Sequence, residues 1–192
     1  VSVPKNSLYR NIVFTHSTSP TPKGYYSPVV HVHNHLTPIH SAYWLSIAAD
    51  SVPQRLRDKA MLATFTPKGD IEAAGGRFSN GAVKASLREF GDFFIAIDTM
   101  PPTIIPLNIH NGKNMGREKA IRFRVADNFS GVASISGTIN GKWVLFEYDP
   151  KNDLVFYLFD EERLSRGEVH NLMLTVADEM GNSSEFTCHF IW

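Results

Sequence analysis

Apolar and polar residues alternate with a period of two along much of this chain. Tyr43, Leu45 and Ile47 fall on one side of a segment whose other side is Ala42, Trp44 and Ser46. Val83, Ala85 and Leu87 alternate with Lys84, Ser86 and Arg88, and Phe93, Ile95 and Ile97 with Phe94 and Ala96. Further on, Ile121, Phe123 and Val125 alternate with Arg122 and Arg124, and Leu172, Leu174 and Val176 with Asn171, Met173 and Thr175. Successive side chains of a strand point to opposite faces, so each run predicts a strand with one face turned to a core. Further strands are predicted at 8–14, 59–66, 133–139, 142–148, 154–159 and 186–192. Asn140-Gly141 lies between two of these, a strong hairpin signal because both residues tolerate positive φ. Helical periodicity is nearly absent. Asp160–Arg163 before Gly167 reads as one capped turn.

Breakers divide these runs. The stretch from Thr15 to Pro28 is rich in Ser, Thr and Pro and reads as a loop, while Gly69 and Gly75-Gly76 mark turns. The strongest punctuation is Asp98-Thr99-Met100-Pro101-Pro102-Thr103-Ile104-Ile105-Pro106. Its prolines remove three backbone donors, and Pro101 disfavours helix at Met100. Such a segment makes a semi-rigid spacer. The sequence therefore predicts an all-β protein of two tandem antiparallel β-sandwich domains, 1–99 and 100–192. Seven regularly spaced strands make the second immunoglobulin-like in expectation.

Charge excludes one class of function. Lys plus Arg equals Asp plus Glu at 19 each, so nothing draws a nucleic acid backbone electrostatically. No apolar run approaches a membrane span. The chain begins at Val1 without an initiator Met or a signal peptide, which leaves room for a preceding domain. Cys188, the single cysteine, alternates with Phe186 and Phe190 and is expected to be a buried, inert thiol.

Candidate chemistry gathers at His31, His33, His35 and His40. Residues two apart on a strand share a face at about 6.6–6.8 Å, and two such imidazoles can lean onto one zinc. A third on the same strand would sit about 13 Å from the first. His31 and His33 are thus a possible metal pair, but no carboxylate lies nearby in sequence, and structural histidines are the expectation. No P-loop, G-x-S-x-G or dinucleotide fingerprint is present, and the Ser, His and Asp residues show no nucleophile context. No catalytic residue and no cofactor are expected. Two turns echo each other, Asp127 to Gly131 and Asp178 to Asn182, each ending a strand in Asp with Gly in the turn. Turn chemistry explains them, with a shared calcium site as the alternative. Trp44 and Phe94 lie opposite the more apolar sides of their strands; on an open face they could stack on sugar rings or dock a partner. Trp143 and Trp192 are expected in the second core.

Several segments together carry a family resemblance. They are Gly91 to Pro102, Asp127 to Gly131, Gly141-Lys142-Trp143, Leu145-Phe146, Asp178 to Asn182 and Phe190-Ile191-Trp192, with Pro38-Ile39-His40 and Thr66 to Gly69 in the first half. The chain from Val3 to Trp192 resembles the C-terminal, non-catalytic region of LytM/lysostaphin-type zinc endopeptidase proteins of Gram-negative anaerobes. That resemblance implies an exported protein of the periplasm or cell surface, with a peptidase domain before Val1. It also implies a partner in peptidoglycan or an envelope protein. The zinc ligands of those enzymes do not carry over: His31-Val32-His33 matches their H-x-H in letters only, and no Asp precedes Asp50. The expected function is an accessory module that positions a peptidoglycan endopeptidase or binds the wall. The alternatives are a metal-dependent hydrolase using the histidine cluster, and a structural spacer or adhesin domain.

Overall fold

A computed structural model describes every residue from Val1 to Trp192, and its regular structure is almost wholly antiparallel strand. The chain divides into two units, Val1–Thr99 and Met100–Trp192. No helix is long and apolar enough to cross a membrane.

The first unit holds β1 (His16–Ser19), β2 (Val29–Val32), β3 (Tyr43–Ala48), β4 (Ala60–Phe65) and β5 (Ile71–Gly75). It continues with β6 (Arg77–Ser79), β7 (Ala82–Leu87) and β8 (Gly91–Ile97). One sheet runs β1-β2-β8-β4-β5 and the other β3-β7-β6. Alternation decides what is buried. Tyr43, Leu45 and Ile47 stand opposite Leu87, Ala85 and Val83, and they share a core with Val32, Leu62, Phe93 and Ile95 from the other sheet. Between β5 and β6 the chain turns at Gly76 with φ +94°, where a Cβ would meet the Lys84 carbonyl oxygen at 2.7 Å. Only glycine satisfies both the backbone angle and the close approach.

Two expectations fail in this unit. Residues 8–14 form no strand; Leu8 makes an isolated bridge to Ile39, and Tyr9 and Val13 stand in solvent. Conversely, β1 lies inside the stretch read as a loop. It is short and polar, His16-Ser17-Thr18-Ser19, so it shows no apolar alternation, and its pairing with β2 is what defines it.

The second unit holds β9 (Thr103–Pro106), β10 (Lys113–Asn114), β11 (Ala120–Ala126), β12 (Val132–Ile139) and β13 (Lys142–Val144). Then come β14 (Glu147–Asp149), β15 (Leu154–Leu158), β16 (Val169–Asp178) and β17 (Ser183–Ile191). The sheets run β10-β17-β16-β12-β13 and β14-β15-β11-β9, with β10 joining β17 in parallel. Ile121, Phe123, Val125, Leu172, Leu174, Val176 and Phe190 meet in a single core. The β12–β13 hairpin turns at Asn140 and Gly141, with φ of 53° and 73°. The proline-rich stretch is not a spacer throughout: from Thr103 it is β9, an edge strand, where Pro106 is tolerated. The expected strand 142–148 is two strands. Its first part pairs with β12 and its last part with β15, and the chain changes sheet at Leu145-Phe146.

Candidate functional site

His31 sits on β2 between two neighbours, with Ser17 of β1 and Asp92 of β8 opposite it. This face is the outer one, because Val32 and Phe93 take the core side. The His31 Nδ1 lies 2.7 Å from Asp92 Oδ1, and Nε2 lies 3.0 Å from Ser19 Oγ. A carboxylate accepts only, so Nδ1 carries the proton that Asp92 receives. In the neutral ring Nε2 then keeps its lone pair, to which the Ser19 hydroxyl donates. Strands β1, β2 and β8 thus bring an acid, an imidazole and a hydroxyl into one chain of hydrogen bonds, with Ser19 and His31 12 positions apart and His31 and Asp92 61 apart. The His31 and Asp92 side chains keep 35% and 50% of their surface exposed, so solvent and solutes reach the group.

The structure does not make a metal pair of His31 and His33. β2 ends at Val32, and His33 adopts φ 50°, which breaks the two-residue alternation that would place it beside His31. Its ring stacks on Phe14 at 5.8 Å and meets Phe90 edge-on at 5.3 Å. His40 packs against Tyr9 instead, at 5.5 Å. The twin aspartate turns are closed by their own backbones. Asp127 Oδ2 accepts from the amides of Phe129 and Gly131 at 2.9 and 2.8 Å. Asp178 Oδ1 accepts from those of Met180 and Asn182, both at 2.8 Å.

Trp44 and Phe94 do not form one surface. Trp44 is on β3, half-exposed, with Lys84 Nζ 4.7 Å from its ring centre. Phe94 is on the other sheet and fully buried, because the loop before β2 folds over the outer face of β8. There Tyr25 and Phe65 each lie 4.7 Å from the Phe94 ring. The loop is held by Ser27, whose Oγ accepts from the Ile95 amide at 2.8 Å. Phe94 is therefore a packing residue and not a binding one.

Trp143 reverses the other expectation. Val144 takes the core side of β13, so Trp143 faces out and is 59% exposed. Trp192 is buried as expected, stacked on Phe159 at 4.6 Å. Register places Trp143, Thr138, Met173 and Thr187 in one row across four strands of the sheet. Beside this row runs an open groove of about 660 Å³, lined by Thr138, Met173, Thr187, Asn111, Asn171 and His189 among others. Alternation over 142–148 sets Val144, Phe146 and Tyr148 against Trp143, Leu145 and Glu147, so the rule that put Trp44 outside puts Trp143 outside too.

Among known families, the model of the Zu5-like domain matches residues 1–98, half of the chain. No curated protein matches it.

Proposed function

We propose that this chain, which belongs to the Zu5-like domain family, is an accessory binding module of an exported cell-envelope peptidoglycan endopeptidase. On this reading it has no peptidase activity of its own and holds wall glycan through the outer face of the second unit. The observation that carries the reading is the row of Trp143 and Met173, both outward, beside a groove edged by Asn111, Asn171, Thr187 and His189. An exposed indole offers a flat apolar surface for the C–H face of a sugar ring, while amide, hydroxyl and imidazole groups bond its hydroxyls. The sequence resemblance from Val3 to Trp192 supports the envelope setting.

The test is sedimentation of the protein with purified wall sacculi, together with measurement of released peptide ends. Retention should fall about tenfold in Trp143→Ala/Met173→Ala and stay unchanged in Trp44→Ala, with no release above buffer. Equal retention of all three proteins would remove this face and favour a structural spacer. Chelator-sensitive release of peptide ends would overturn the accessory reading itself.

A further inference from the structure

We propose that Ser19, His31 and Asp92 form a nucleophilic site in the first unit that hydrolyses small carboxylic esters, an activity separate from glycan binding by the second. The geometry has each part in its working order. Asp92 fixes the imidazole through Nδ1 at 2.7 Å, which sets the tautomer with a free lone pair on Nε2. That lone pair lies 3.0 Å from Ser19 Oγ, within reach for removing the hydroxyl proton. This constellation is recognised by geometry and roles, not by order in the chain.

Two features of the surroundings give the site a substrate class. On β8, Phe94 follows Asp92 by two residues and so lies on the same face, about 6.6–6.8 Å along the strand. Its cover of Tyr25 and Phe65 sets aromatic rings on the Asp92 side of the hydrogen-bonded chain, and Phe65 is itself 38% exposed. This favours an ester with an apolar acyl or aromatic leaving group. Secondly, β1 is the edge of its sheet. The outward backbone N–H nearest Ser19 is that of Thr18, since Ser19 stands in a hydrogen-bonded pair with Val29 and Pro20 has no N–H, and this single donor can take up part of the charge on a carbonyl oxygen.

The chemistry balances with ester and water alone. Ser19 Oγ bonds to the ester carbonyl carbon while its proton passes to His31 Nε2, and the imidazolium is held by Asp92. The tetrahedral adduct breaks its bond to the alkoxy oxygen, which leaves as the alcohol with the Nε2 proton. Water then adds to the acyl-Ser19 ester with His31 again as base, releasing the carboxylic acid and restoring Ser19.

The experiment uses the full 192-residue chain with two probes, a fluorophosphonate and p-nitrophenyl acetate. The fluorophosphonate should add one phosphonyl group per chain, located on the Ser19 peptide by mass spectrometry. Labelling should vanish in Ser19→Ala and slow at least tenfold in His31→Gln and in Asp92→Asn. p-Nitrophenyl acetate hydrolysis should fall in the same order. Ser19 is on a solvent-facing edge, so Ser19→Ala should keep the wild-type melting temperature. Asp92→Asn offers an independent variant if it does not. No label, a label on another residue, or hydrolysis unchanged in Ser19→Ala would each overturn the proposal. Failure of sacculus binding would leave it standing, since that concerns the other unit.

Discussion

The ring of Phe146 lies against the backbone of Gly137, so closely that a Cβ at Gly137 would fall within the ring's own atoms. Phe146 gets there because the chain changes sheet at Leu145-Phe146. Its ring then packs between Phe123, at 6.1 Å, and Tyr157, at 5.6 Å. Gly137→Ala must therefore displace a core aromatic. Overpacking of this kind costs about 1–3 kcal/mol. Urea denaturation should show the second unit destabilised by that amount. An unchanged midpoint would mean that Phe146 moves aside freely.

Trp44 and Phe94, similar in sequence setting, should behave in opposite ways. Phe94 is enclosed by Tyr25 and Phe65, so Phe94→Ala should cost about 3–5 kcal/mol. Trp44 faces solvent over Lys84 and forms no part of the core. Trp44→Ala should change stability by about 0.5 kcal/mol or less, as surface substitutions do. Thermal melting of the two variants side by side decides the matter. A melting temperature of Trp44→Ala lowered as far as that of Phe94→Ala would show that Trp44 is a packing residue as well.

The difference between these two residues also shows what alternation can and cannot reveal. It says which residues share a face, and at β3, β7, β11 and β16 those faces are the buried ones. It does not say whether the second face is open. Phe94 is on the second face of β8 but is roofed by a loop whose path depends on Ser27 and Tyr25, some 70 residues earlier. Ser19 escaped for the complementary reason. β1 has no apolar residue to alternate, and its strand character comes from hydrogen bonding to β2 rather than from burial. The Ser19–His31–Asp92 group spans 73 residues of chain and three strands, so no local spacing could disclose it. His31 was visible as chemistry, but its partners were visible only once the register of the sheet was known.

Burial pushes the Cys188 thiol up to about 11. An unfolded cysteine ionises near 8.5. Between these values the unfolded chain loses a proton that the folded chain keeps, so the folded state binds more protons and stability falls as pH rises. The slope from this one group is at most about 1.4 kcal/mol per pH unit. Burial also raises the Tyr43 phenol, which adds to the loss only above about 10, where an unfolded tyrosine ionises. Urea midpoints from pH 7 to 10 should therefore decline more steeply in wild type than in Cys188→Ala. Equal slopes would show that the thiol titrates alike in both states. The folded protein should also resist alkylation by iodoacetamide at pH 8.

Zinc should not stabilise the first unit through His31 and His33. For His31 to bind a metal, Nδ1 would have to leave Asp92 or Nε2 would have to leave Ser19, and each now makes a bond of 2.7 or 3.0 Å. His33 would have to leave its stack on Phe14 and turn from a backbone conformation at φ 50° that points it away from the strand's alternation. Both changes subtract from the binding free energy before a third ligand is found, and a zinc site needs about three from the protein. A metal that does bind the folded state stabilises it by RT ln(1 + [L]/Kd), about 2.7 kcal/mol at a hundred times Kd. Melting temperatures should therefore respond equally to micromolar zinc in wild type and in the His31→Gln/His33→Gln variant, and chelator should leave both unchanged. A rise of several degrees in wild type alone, with one zinc per chain by elemental analysis, would instead restore the metal-dependent hydrolase.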